Sequence, residues 1–300
     1  MKTVVSISLG SSKRDSKIET EFGKELFQIQ RIGVDGNRNR AIELFKSFDG
    51  EVDVLTIGGT DLYIYAGNKR YTFSQTQKIT SIVKKTPLVD GSGIKNTLER
   101  RVIPYLETNY EMDFYNKSIL LVCAVDRFGL AETLAQRGAN MIFGDLMFGF
   151  KIPVPIRNLK MLDILARIIG PIVTKLPIEM FYPTGEKQTE NKPIFSRFFK
   201  DVDIIAGDFH FIRRYIPKGL DNKVVITNTV TSEDEVFLKE KGIKTLITTT
   251  PEIGGRSFGA NVLEGMLVAL RGDKKIPLSV KDYNELLDKL EIKPRVKQLL

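Results

Sequence analysis

Two rhythms of apolar and polar positions trade places along the chain. The run Thr3-Val-Val-Ser-Ile-Ser-Leu9 is short and apolar, ends in Gly10-Ser-Ser-Lys-Arg14, and predicts a strand followed by a loop. Residues 17–22 and 26–32 alternate with period two around Gly23-Lys24, the pattern of a hairpin. Ile42, Leu44, Phe45 and Phe48 then recur at helical spacing, and Asp49-Gly50 stops them. Residues 52–57 read as a buried strand ending in Gly58-Gly-Thr-Asp61. A second hairpin (62–65 and 70–73) turns at Gly67-Asn68, and a helix runs through Ile79 and Ile82. After Asp90-Gly-Ser-Gly93, Leu98, Val102 and Leu106 repeat every fourth residue, which predicts a helix connecting two domains.

Residues 120–145 read as strand, turn, helix and strand. A stretch from 146 to 200 follows, punctuated by Pro153, Pro155, Pro171, Pro177, Pro183 and Pro193, with a strongly apolar helix over 159–169. Strands at 202–206, 223–227 and 244–248, a helix over 233–241, a glycine-containing helix over 256–270 and a Ser279-capped helix over 280–290 complete the pattern, and the tail is basic. Strands alternating with helices imply parallel sheets with helical crossovers. The expectation is an α/β protein of two domains: residues 1–105 as an α/β substrate-binding domain, and residues 106–300 as a dinucleotide-binding domain with an inserted segment about 146–200.

Composition changes little. Three hundred residues with 42% hydrophobic content can build a large core. A net charge of +8 is dispersed among 37 acidic residues with no basic run, so a nucleic-acid partner is not expected. The single cysteine, Cys123, reads as a core thiol. With no signal-peptide pattern and no apolar run of about 20 residues, the expectation is a cytoplasmic protein without a membrane partner. The apolar helix over 159–169 reads as a packed helix or a homodimer contact. Attachment to a membrane surface is a further reading, and so is a lid whose moving part is the polar segment 185–192.

Ligands of open parallel sheets sit beyond the carboxyl ends of the strands. That rule selects Ser11, Ser12, Lys13, Arg14, Gly59, Asp61 and Ser92 as candidates for holding substrate, with Arg256 added for a carboxylate. In the second half it selects Ala124, Asp126, Arg127, Gly129, Asn228 and Thr249 for a dinucleotide. Asp145 follows Asp126 by 19 residues, near the spacing of a ribose-binding carboxylate, which favours NAD over NADP. The turn Ala124-x-Asp126-x-x-Gly129 keeps only the last of three usual glycines. Asp126 would repel a pyrophosphate unless Arg127 offsets it or the side chain points away. Asp90, Lys85 and the lone histidine, His210, are the candidates for moving a proton.

The order of these pieces resembles the shikimate/quinate 5-dehydrogenase family. Leu88-Val-Asp90-Gly-Ser-Gly93 is similar to that family's Asn-Thr-Asp-Gly-x-Gly, which likewise precedes a connecting helix and a Rossmann turn. The resemblance implies that Asp90 binds substrate hydroxyls and assists proton transfer. It also implies an NAD(P)-dependent oxidation of a small, anionic, hydroxylated substrate. The family's Ser-x-Ser-Pro and Asn-Val-Thr-x-Pro-x-Lys motifs have no counterpart, leaving Lys84, Lys85 and Lys95 as lysines near Asp90. The rival expectation is a non-redox protein that binds a metabolite or nucleotide on a degenerate Rossmann fold.

Overall fold

The computed structural model describes residues 1–66, 69–177, 190–253, 256–271 and 278–300. The turn expected at Gly67-Asn68 and most of the segment 185–192 lie outside them. The elements in chain order are β1 (Lys2–Ser8), β2 (Ser16–Phe22), β3 (Glu25–Gly33), α1 (Arg38–Phe48), β4 (Val54–Gly58), β5 (Tyr63–Ala66), β6 (Lys69–Thr72), α2 (Ser74–Thr80), β7 (Leu88–Val89) and α3 (Ser92–Tyr110). There follow β8 (Ser118–Leu121), α4 (Phe128–Gln136), β9 (Asn140–Phe143), α5 (Leu159–Val173), α6 (Ser196–Lys200), β10 (Ile204–Ala206), α7 (Phe209–Tyr215), β11 (Lys223–Thr227), α8 (Ser232–Glu240), β12 (Ile243–Thr248), β13 (Glu252–Ile253), β14 (Arg256–Ser257), α9 (Ala260–Arg271), α10 (Val280–Lys289) and β15 (Arg295–Gln298).

Two large sheets result among the described residues, as the alternation of strands and helices predicts, beside the two-stranded ribbons β5-β6 and β13-β14. The first runs β2-β3-β1-β4-β7 and is parallel except for β2, whose hairpin partner is β3. The second runs β15-β12-β11-β10-β8-β9, parallel except for β15 at one edge. The fold is α/β with two domains, and the second sheet is doubly wound with its strand order reversing between β8 and β10.

Period two decides which face each strand residue covers. In β8, Ile119 and Leu121 pack with Leu130 and Leu134 of α4, while Leu120 enters the opposite core with Phe209 and Ile212 of α7. In β1, Val5 and Ile7 meet Ala41 and Phe45 of α1, while Val4 meets Leu263 and Met266 of α9. Every residue of α9 from 262 to 269 is buried, as expected for a helix enclosed on all sides. Each large apolar side chain hidden this way contributes roughly 2 kcal/mol of transfer free energy.

The chain does not fill one domain and then the other. Helix α3 shares its length between two cores, with Ile94 and Leu98 in the first and Val102, Ile103 and Leu106 in the second. The boundary expected at residue 105 therefore falls inside this helix. Helices α9 and α10 return to cover the first sheet, after which β15 closes the edge of the second. Other elements also depart from the sequence reading. Pro171 lies within α5 rather than ending it, the basic tail forms β15, and the residues after Asp208 form α7. Cys123 is partly buried, and burial pushes its thiol well up.

Candidate functional site in the interdomain crevice

The carboxyl ends of both parallel sheets face one crevice, and α3 starts at its floor. Asp90, at the end of β7, organises that start. One of its oxygens accepts from the Ser92 amide (3.0 Å) and hydroxyl (2.6 Å), and the other from the amides of Leu62 (2.7 Å) and Tyr63 (2.9 Å). Gly91 adopts φ +91°, and a Cβ there would stand 2.5 Å from the Asn261 nitrogen, so only glycine lets α9 approach this loop. Glu264 of α9 accepts from the Gly91 amide (2.6 Å) and from the Tyr283 hydroxyl. Burial, then the neighbouring Asp90, pushes the Glu264 carboxyl up to about 8.

Lys95, one turn into α3, ties the domains together. Its ammonium lies 2.8 Å from Asp126 after β8 and 3.4 Å from Asp61 after β4. Burial alone would lower the Lys95 pKa, but the two carboxylates outweigh it and raise it, so this lysine is a fixed cation and not a base. Arg127 is similarly enclosed, with a side chain only 3% exposed. It bonds Glu99 at 2.6 Å and Asp208 at 2.9 Å, and its Nε lies 3.5 Å from Asp126. Asp208 also accepts from the Asn228 amide group and the His210 backbone N–H, both at 2.9 Å. Burial pulls the Asp208 pKa up, but Arg127, His210 and Lys95 together outweigh it and hold the carboxyl below the usual carboxylate range. Four carboxylates (Asp61, Glu99, Asp126, Asp208) thus surround two cations, for a formal local charge of −2. Tyr63, Ile64 and Tyr65 of β5, with Asn96, Val125 and Phe128, complete the crevice wall.

Two amides of the turn after β8 are already bonded to a side chain. The Asp145 carboxylate accepts from the Val125 N–H at 2.9 Å and from the Ala124 N–H at 3.0 and 3.2 Å. A pyrophosphate seated on a Rossmann turn would need such donors. Burial pushes Asp145 up to about 6, against the pull of these bonds. Gly129 serves helix packing, because a Cβ there would meet Asn96 at 2.6 Å. In this arrangement Asp145 is buried and caps the turn through the Ala124 and Val125 amides.

The structure brings Asp61, Asp126, Arg127, Asp208 and Asn228 into one cluster, and seats Asp90 and Ser92 beside it. Gly59 is a tight contact between loops, since its Cβ would lie 2.6 Å from the Gly10 nitrogen. Ser11, Ser12, Lys13 and Arg14 form an exposed turn at the carboxyl end of β1; Ser11 accepts from the Lys13 amide, and the Ser12 amide donates to Asp35. The Arg14 charge reaches His210, whose pKa is lowered by burial first and then held against the opposing pull of Asp208. Thr249 is buried, with its amide donating to the Thr227 carbonyl. Lys85 is exposed and precedes β7, at the end of the sheet away from Asp90. The Arg256 side chain lies outside the described residues. Glu99, Glu264 and Tyr283 were not singled out from the sequence. Lys95 and Glu99 stand four apart, a spacing that on most helices marks a solvated ion pair.

The fold and the crevice define a two-domain α/β protein with a charged site at the switch point of its second sheet. Residues 93–299 match the family described as Domain of unknown function (DUF8754), and the chain belongs to that family. Residues 3–90 match a second description, Domain of unknown function (DUF8753). No curated protein matches the sequence. Among solved structures, the chain is similar to a hetero-hexameric glutamate dehydrogenase from Thermus thermophilus (10% identity, 97% of this chain and 73% of that one, TM-score 0.44). It is similar to a galactofuranose binding protein (11% identity, 97% and 99%, TM-score 0.38). An L-tryptophan dehydrogenase from Nostoc punctiforme gives 11% identity, 96% and 80% coverage and a TM-score of 0.38. Those scores are too low to lend this chain the chemistry of any of them.

Proposed function

We propose that the crevice binds a small hydroxylated molecule of neutral or positive charge, without a dinucleotide on the β8 turn. The observation that supports this most is the Asp145 carboxylate, which already holds the Ala124 and Val125 amides of the turn. The local charge of −2 acts in the same direction, repelling anions and favouring hydroxyls or ammonium groups that donate to Asp61 and Asp126. Tyr63 and Tyr65 supply a wall on which a sugar-like ring would rest.

A second reading is an NAD(P)-dependent oxidoreductase acting on a small hydroxylated carboxylate. The strand-order reversal between β8 and β10 favours it, since dinucleotides bind at such points. It requires a phosphate to be held by the start of α4 or Asp145 to release the Ala124 and Val125 amides. Calorimetric titration of the whole chain with NAD, NADH, NADP, NADPH, inositol and glucosamine separates the two. Binding of inositol or glucosamine that weakens in Asp61→Asn and Asp126→Asn, with silence from all four dinucleotides, supports the first reading. Micromolar binding of one dinucleotide pair would overturn it in favour of the second.

A further inference from the structure

Helix α5 buries one face and leaves another bare. Leu162, Ala166 and Gly170 are buried, and Gly170 lies close enough to the Tyr71 ring that a Cβ would stand 3.2 Å from it. The helix thereby rests on β5, β6 and the Val125–Arg127 turn. On the outer side, Met161, Ile164, Ile168 and Ile172 follow one another at spacings of three and four, with exposures of 63, 57, 62 and 56%. Ahead of the helix, Ile152 and Val154 are also exposed. Apolar side chains gathered in one stripe mark a surface that something covers.

The charges beside the stripe say what covers it. Residues 150–177 carry Lys151, Arg157, Lys160, Arg167 and Lys175 against a single acid, Asp163, which is bonded to Arg167 at 2.8 Å. A second copy laid on this face would set one cationic rim against another, with no free carboxylate in the segment to answer it. A surface of anionic headgroups answers both features: the stripe enters the acyl boundary while the lysine stems reach outward to phosphates. Among the described residues no helix is long and apolar enough to cross a membrane, so α5 would lie in the plane of the interface. We propose that α5 and the extended stretch before it dock this protein on an anionic lipid surface. This departs from the expectation of no membrane partner, and it does not depend on what the crevice binds.

Co-sedimentation of the full chain with vesicles tests it, using phosphatidylcholine alone and phosphatidylcholine mixed with phosphatidylglycerol. The protein should pellet with the mixed vesicles and stay in solution with the neutral ones. Lys151→Ala with Lys160→Ala should weaken partition on the order of thirtyfold, at about 1 kcal/mol per cation. Ile164→Asp with Ile168→Asp should abolish it while leaving the circular dichroism spectrum and melting midpoint unchanged, because both side chains are exposed. Failure of the wild-type chain to bind the mixed vesicles overturns the proposal. So does a dimer in sedimentation velocity that the two aspartates disperse, which would assign the stripe to a second copy.

Discussion

Glu264 sits between the Gly91 amide and the Tyr283 hydroxyl with Asp90 nearby, and its carboxyl is raised from 4.5 to about 8. The unfolded chain gives up this proton at lower pH than the folded chain does. Folding stability therefore falls as pH rises from 4.5 and levels off above 8. Asp145, raised to about 6, adds a fall of the same sign that ends near that pH. His210, held low by burial, acts in the opposite direction and only below its ordinary value of 6.5. Above roughly 6.5 the fall comes from Glu264 together with Glu99, whose carboxyl burial also pushes up. Denaturant midpoints measured from pH 6.5 to 8 should decline in the wild type and decline less steeply in Glu264→Gln. A wild-type midpoint that does not move over that interval would contradict the buried, proton-retaining carboxyl.

Among elements, the contact between α3 and α4 is the one most open to test. A methyl at position 129 would press on both the side chain and the carbonyl of Asn96. Gly129→Ala should cost about 1–3 kcal/mol, seen as a lowered melting midpoint. An unchanged midpoint would mean that the helices separate freely and that Gly129 has some other purpose. The elements that the sequence made legible were those whose rhythm is local: the hairpin around Gly23-Lys24, the helix after Asn37, the four-residue repeat of α3 and the parallel strands of the second sheet. β15 escaped notice because Arg295-Val-Lys-Gln298 is an edge strand with a mostly polar alternation, which looks like a solvated tail. α7 escaped because seven residues capped by Asp208 are too few to show a period. Asp61 and Asp126 could be found by the strand-end rule. Their joining through Lys95, and the capture of the turn amides by Asp145, depend on how two distant loops meet and leave no trace in spacing.

At the scale of the molecule, the two sheets are held as one unit. α3 belongs to both cores, α9 and α10 cross back to the first, and β15 returns to the second. Urea unfolding followed by far-ultraviolet dichroism and by tyrosine absorbance should therefore give one coincident transition. Two separated transitions would show that the sheets melt independently. The overall charge of +8 coexists with a crevice of formal charge −2, so the surplus of cations lies elsewhere on the surface, including beside α5. The return of α9 also has a cost in time. Val89 ends the first sheet and Ala260 begins the helix that covers it, 171 positions later by subtraction. At about 5–20 residues per second, a nascent chain leaves Val4, Phe27 and Val54 without that cover for roughly ten to thirty seconds. Through that interval the half-made protein is an adhesive sheet on the ribosome, and its yield in the cell will depend on how well chaperones shield it.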